Sequence, residues 1–251
     1  MKKRLLDIHT HHDAPQPEGV VAICVKPEIT GYKFTEGQAY SVGIHPWDTV
    51  AEPTDRMWDE LRRIAERKDV KAIGEAGIDL TPHGGPLFRQ LLVFRKQVEL
   101  SEELCKPLVI HDVKAHDIIT GARRDLKPCQ NWAIHGFRRK PEVAQMLLRA
   151  GCYISFGAQY NEDSLLSMPL DRILAETDES EHDIEEVIEK LSQTVGRDLT
   201  DIIAENTARF LGIDAKAGVI HQPEMIRERT SQMAHYASDS AEPNPAHAYD
   251  P

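Results

Sequence analysis

Leu5-Leu6-Asp7-Ile8-His9-Thr10-His11 is the chain's first apolar run, and it finishes in a His-x-His pair. A strand alternates its side chains, so His9 and His11 fall on one side and Thr10 on the other. Two imidazoles held together at a stiff strand end are half of a metal site. Alone, the pair reads equally as two surface histidines. The rest of the chain decides between these readings, because the same pattern recurs: a short apolar run, a polar or ligating end, then an amphipathic stretch.

The later runs are Gly19–Val25, Ala39–His45, Val70–Glu75, Pro107–His111, Asn131–His135, Gly151–Phe156 and Arg172–Asp178. Near-continuous apolar runs of this length suit parallel strands covered on both faces. Between them, Thr54–Arg67, Leu87–Leu104, Pro141–Ala150 and Asp183–Val195 place apolar residues at helical spacing, and Leu199–Leu211 follows as a further helix with Thr200 as its candidate cap. Eight strands alternating with helices predict an α/β fold, a (β/α)8 TIM-type barrel. The rival is an open doubly wound sheet. That fold more often has fewer strands and a Gly-rich phosphate loop, and neither G-x-G-x-x-G nor G-x-x-x-x-G-K-[ST] occurs. Thr10–Glu18 carries Pro15 and Pro17, and Lys26–Gln38 carries Pro27, Gly31 and Gly37, so the first two crossovers read as loops rather than helices. Residues 1–213 form the expected barrel. Residues 214–251 read as a polar tail, at most a loose helix around Pro223–Ala237 and disordered at its proline-rich end.

Composition narrows the function. The chain has 251 residues, 41% of them hydrophobic, and a net charge of −11. That balance argues against a broad basic surface wrapping nucleic acid. It leaves room for an enzyme that grips one phosphate, since bound metal ions supply local positive charge. Cys24, Cys105, Cys129 and Cys152 form no C-x-x-C pair, and Cys24 and Cys152 lie inside apolar runs as core residues. The basic start, Met1-Lys2-Lys3-Arg4, precedes an apolar run too short for a signal peptide or a membrane span, so a cytoplasmic protein without membrane attachment is expected. No obligate protein partner is evident.

The strand ends carry the chemistry. They supply His9 and His11, then His45, Glu75, His111, His135 and Asp178. Catalytic residues of a parallel barrel sit at the C-terminal ends of its strands. Five histidines and two carboxylates there form a nitrogen-and-oxygen set suited to Mg, Mn, Zn or a similar divalent ion. Serine chemistry would need a motif such as G-x-S-x-G, which is absent. A glycosidase could pair Glu75 with Asp178, but that leaves the histidines without a role.

With these motifs in order, the sequence resembles the TatD-family metal-dependent deoxyribonucleases of the amidohydrolase-like barrel superfamily. The matching stretches are Asp7–His11, Ser41–Trp47, Ala72–Asp79, Val109–His111, Ala133–Phe137, Leu174–Asp178 and Asn206–Gly212. The resemblance implies two divalent metal ions. His9, His11, Glu75 and Asp178 would hold one, and Glu75, His111 and His135 the other, with Glu75 between them. Such a pair activates water and stabilises the leaving oxygen of a phosphodiester. The resemblance further implies that Asp178 takes the water's proton, that His45 contacts a phosphate oxygen or the leaving group, and that the substrate is DNA, as single strands or ends. The alternative is a small amide, ester or phosphoester cleaved by the same centre; a third reading is a catalytically inactive metal-binding barrel.

This chain departs from the family's pattern in places. Val113-Lys114 stands where an Arg is usual, and Glu179-Ser180-Glu181 follows Asp178 in place of a small residue and proline. Arg138 and Arg139 read either as phosphate contacts or as a solvated loop pair. Asp13 is a candidate to orient a ligand histidine. His12, His83, His116, His182, His221, His235 and His247 are expected to play no ligand role.

Overall fold

The structure is a computed structural model that describes residues 4–26 and 32–213. Its eight strands are β1 (Asp7–Thr10), β2 (Gly19–Cys24), β3 (Ala39–Gly43), β4 (Val70–Asp79), β5 (Leu108–Val113), β6 (Trp132–Ile134), β7 (Tyr153–Phe156) and β8 (Ile173–Ala175). All neighbours pair in parallel, and β8 pairs back to β1, closing the barrel. The eight apolar runs are therefore the eight strands. Run four is longer than its apolar stretch, since β4 continues through Glu75 to Asp79.

The helices are α1 (Asp55–Ala65), α2 (Leu87–Glu103), α3 (His116–Leu126), α4 (Pro141–Arg149), α5 (Glu162–Leu166), α6 (Ile184–Val195) and α7 (Thr200–Phe210). Caps set several of the starts. The Thr54 side chain accepts from the Met57 N–H, and Asp183 and Glu186 exchange side-chain to main-chain bonds as a capping box. Thr200 is not the cap of α7; Leu199 occupies that position and Thr200 is the first helical residue. Neither of the first two crossovers contains a helix among the described residues, as the prolines and glycines there require. The expected tail, residues 214–251, lies outside the described residues. Among the described residues no helix is long and apolar enough to cross a membrane.

Two apolar layers build the barrel. The inner one takes one residue from each strand: Ile8, Val20, Ala39, Ala72, Val109, Ala133, Tyr153 and Leu174. Alanines at three of these places make room for the Tyr153 ring, and Phe210 and Leu211 at the end of α7 join the same cluster. The outer layer packs strand faces against the helices, with Leu61, Ile64, Phe94, Leu147 and Leu191 among its buried members. Above the filled inner layer, polar side chains at the C-terminal strand ends form the floor of the barrel's mouth.

Register shifts adjust which side chains reach that floor. Between Asp7 and Thr10 the pairing of β1 with β2 slips by one residue, so Ile8 and His9, neighbours in sequence, both turn inward. Between Ile73 and Ala76 the pairing of β4 with β5 slips likewise, and Glu75 occupies the irregular position. Two glycines permit this close packing. A Cβ on Gly77 would sit 2.0 Å from the His111 carbonyl oxygen, and one on Gly43 would sit 2.6 Å from that of Glu75.

Candidate metal centre

Five strand-end histidines surround the Glu75 carboxylate, and Asp178 lies beside two of them. One side of the Glu75 carboxylate, Oε2, lies 3.2 Å from His11 Nε2 and 3.5 Å from His9 Nε2. Asp178 Oδ1 lies 3.8 Å from each of the same two nitrogens. The other side, Oε1, lies 2.8 Å from His111 Nδ1 and 3.4 Å from His45 Nε2, and it also contacts His135 Nε2. His9 and His11 thus face one oxygen, with Asp178 beside them; His45, His111 and His135 face the other.

Local structure fixes these side chains. His9, Glu75 and His135 are buried, whereas His11 and Asp178 remain partly open to solvent. Asp178 has a left-handed backbone, φ 54°, a region that Asp enters more readily than most residues. Its N–H donates to the His9 carbonyl and its carbonyl accepts from the His11 N–H, so the ends of β1 and β8 grip one another at the site.

Hydrogen bonds also set ring tautomers. His45 Nδ1 accepts from the Trp47 main-chain N–H at 3.1 Å, so a neutral His45 carries its proton on Nε2, toward the centre. His111 Nε2 faces Asp79 Oδ2 at 3.3 Å, which leaves His111 Nδ1 as a lone pair aimed at Glu75. Asp79 is buried and also accepts from Trp47 Nε1 at 2.6 Å and from the Thr81 N–H at 2.8 Å. Burial works against the charge of Asp79, but these bonds outweigh it and hold its pKa down to about 2.

The electrostatics ask for cations. Burial opposes charging of His9, yet Glu75 and the neighbouring carboxylates raise its pKa to about 9. Burial likewise opposes the charge on Glu75, but the surrounding histidines push its pKa well below the usual carboxylate range. His111, opposed by burial, is raised by Glu75 and Asp79, while burial lowers His135. Both ring nitrogens of His9 are buried without a hydrogen-bond partner. With its proton on Nε2, His111 presents a lone pair 2.8 Å from a carboxylate oxygen, a contact that is repulsive unless a proton or a metal ion lies between them. The donor set fits divalent metal: His9, His11 and Asp178 lie within mutual ligating reach, as do His45, Glu75 and His111, and also His9, Glu75 and His135.

The family model described as TatD related DNase matches residues 28–212. The chain belongs to the TatD family. The uncharacterized metal-dependent hydrolase YcfH of Escherichia coli K12 is 29% identical over 201 residues, covering 70% of this chain and 74% of that protein. The 3'-5' ssDNA/RNA exonuclease TatD of Erwinia billingiae is 31% identical over 148 residues, covering 55% and 56%. Among solved structures, the TatD homologue YjjV of Escherichia coli K12 superposes with a TM-score of 0.69 at 19% identity, over 84% of this chain and 98% of that one. A TatD-family hydrolase of Entamoeba histolytica gives 0.65 at 15%, with the same coverage. This TatD-family chain is a metal-dependent hydrolase.

Other expected residues fall elsewhere. Arg138 is exposed and donates to Gln159, Lys114 is exposed with φ 60°, and His182 pairs with Glu186 at the surface. Asp13 accepts from Gln16 through its main-chain carbonyl rather than orienting a histidine. His221, His235 and His247 lie outside the described residues. Asp79 and Glu176 are two further buried acids at the site that strand-end placement alone does not single out. Glu176 is fully buried, accepts from the Gly136 N–H, and lies 3.9 Å from His135 Nδ1; burial raises its pKa to about 8. Both acids sit in the quoted motifs at even spacing from an inward residue, Asp79 four after Glu75 and Glu176 two after Leu174, which was the available signal.

Proposed function

We propose that this TatD-family hydrolase cleaves phosphodiester bonds in DNA, at single strands or ends, with two divalent cations held by His9, His11, Glu75, His111, His135 and Asp178. The observation that carries this reading is the two-sided Glu75 carboxylate, each oxygen facing its own set of histidine nitrogens. When bound, the ions supply the charge that polarises a phosphoryl group and makes water nucleophilic near neutral pH.

The protein's own groups divide the remaining work. Asp178, partly open to solvent beside His9 and His11, accepts the proton of the attacking water. His45, with its proton on Nε2, donates to a phosphate oxygen or to the leaving oxygen. The relative named as a 3'-5' ssDNA/RNA exonuclease supports the choice of substrate.

The test is metal analysis joined to a nuclease assay on single-stranded DNA, with wild type, Glu75→Ala and Asp178→Asn. The expected result is bound divalent metal in the wild type, metal-dependent cleavage, and loss of cleavage in both variants. Bound metal with no cleavage of DNA would overturn the nuclease reading in favour of a small ester or amide substrate. No bound or activating metal would overturn both.

A further inference from the structure

Trp47 is a large aromatic left half-exposed, at 50%, beside a buried polar centre. It lies in the 3-10 turn Pro46–Thr49 that follows β3 and directly continues from His45. Exposed tryptophans usually gain mobility from their exposure. This one is fixed at both ends. Its main-chain N–H donates to His45 Nδ1, and its indole Nε1 donates 2.6 Å to the buried Asp79 carboxylate. Its ring meets His45 edge-on at a centroid distance of 4.9 Å and 86°, stands 6.3 Å from His111, and is flanked by the exposed His83 at 5.3 Å. A rigid indole plane is thereby held within one nucleotide's reach of the Glu75 cluster, with half its surface bare.

We propose that Trp47 is a stacking platform for the nucleobase next to the scissile phosphate, and that it selects single-stranded or frayed ends. The inference deepens the phosphodiesterase reading above and rests on it. Stacking on an aromatic plane tolerates any base, because every base offers a π-face, but it requires the base to be out of its duplex stack. A chain with a net charge of −11 gains little from overall attraction to a phosphate backbone, so an aromatic contact is a fitting source of affinity for an unpaired nucleotide. The Asp79 bond sets the plane's orientation and links it to His111, so base capture and the metal centre share one buried carboxylate.

The experiment measures equilibrium binding, with magnesium present, of a hydrolysis-resistant phosphorothioate hexanucleotide and its abasic counterpart. The proteins are the full-length wild type, Trp47→Phe and Trp47→Ala. Wild type is expected to hold the base-bearing strand about tenfold more tightly than the abasic one. Trp47→Phe keeps most of that preference, since it keeps a ring; Trp47→Ala binds both strands alike. Equal binding of the two strands by wild type, or a preference that survives Trp47→Ala, overturns the proposal. So does loss of preference in Trp47→Phe equal to that in Trp47→Ala, which would place the effect in the Asp79 bond rather than the ring. Cleavage of the ordinary oligonucleotide is scored separately. Base preference without cleavage refutes the phosphodiesterase reading alone, and cleavage without base preference refutes the platform alone.

Discussion

Asp7 and Thr177, 170 positions apart, are joined by two hydrogen bonds across the seam where β1 meets β8: the Thr177 N–H reaches Oδ1 at 3.2 Å and its hydroxyl reaches Oδ2 at 2.7 Å. Asp7 Oδ1 also accepts from the His9 N–H at 3.0 Å. One buried carboxylate thus closes the barrel and fixes the main chain of a site histidine. Asp7→Ala leaves buried donors without acceptors, at a cost of about 1–3 kcal/mol for each group stranded. Urea unfolding should show a clear fall in midpoint for Asp7→Ala and a smaller one for Thr177→Val, which removes only the hydroxyl. An unchanged midpoint in Asp7→Ala would mean that the seam is held elsewhere.

The helix α2 holds two strand ends from outside with side-chain amides. Gln97 Oε1 accepts from the Ile44 N–H at 2.8 Å while its Nε2 donates to the Ile44 carbonyl at 3.0 Å. Two turns earlier, Gln90 does the same for Asp79, at 2.7 and 2.9 Å. Each glutamine satisfies main-chain groups at or just past a strand's end, one beside His45 and the other at Asp79, which holds Trp47 and His111. Gln97→Leu fills the space but strands both main-chain groups of Ile44, so a loss of about 2–4 kcal/mol is expected from two unsatisfied buried groups. Gln97→Glu keeps one acceptor and should lose less than Gln97→Leu in the same denaturation series; equal losses would assign the effect to packing.

Glycine substitutions separate close approach from ordinary helix propensity. Gly77→Ala would drive a Cβ to within 2.0 Å of the His111 carbonyl oxygen at a φ of +158°, so it is expected to abolish soluble folded protein. Gly121 lies inside α3, and its added Cβ would meet nothing nearer than 3.8 Å, the tip of Arg124. Gly121→Ala should raise stability by about 0.5–1 kcal/mol, the usual gain for replacing glycine within a helix. Circular dichroism melts of the two variants check both signs; a folded Gly77→Ala would mean that β4 can yield beside His111.

The histidines of the candidate site were legible because each lies at the end of an apolar run: His9 and His11 after Ile8, His45 after Ile44, His111 after Ile110, His135 after Ile134. Strand-end placement alone brings such residues together in a closed barrel. Features that arise between elements were not legible. The slips in β1 and β4 break simple alternation, and no local pattern announces that Ile8 and His9 both face inward. The helix α3 escaped notice because Ile119 is its one buried residue, which leaves no strong apolar stripe. Gln90, Gln97 and Asp79 look like solvent-facing polar residues until their partners on other elements are known. Trp47 looked like part of a motif rather than a surface.

Asp79 offers the sharpest separation of fold from chemistry. It is an acceptor for three donors: Trp47 Nε1, the Thr81 N–H and His111 Nε2. Asp79→Asn preserves size and keeps one acceptor oxygen. Its amide oxygen serves either the Thr81 N–H, with the NH2 then facing Trp47 and His111, or Trp47 and His111 together, with the NH2 facing the Thr81 N–H; both arrangements remove the negative charge behind His111, and in the first His111 is relieved by moving its proton to Nδ1. That proton would face Glu75 Oε1, where a ligand lone pair is needed. Removing the outer carboxylate behind a ligating histidine lowers metal affinity by about 10–100-fold. Metal titration of the stripped protein should show that weakening in Asp79→Asn, with far-UV dichroism matching wild type. His111→Asn in the same titration sets the scale for losing the ring outright. If Asp79→Asn bound metal as tightly as wild type while His111→Asn did not, His111 would be held in register by its strand alone, and the proton on Nε2 would have no part in preparing the centre.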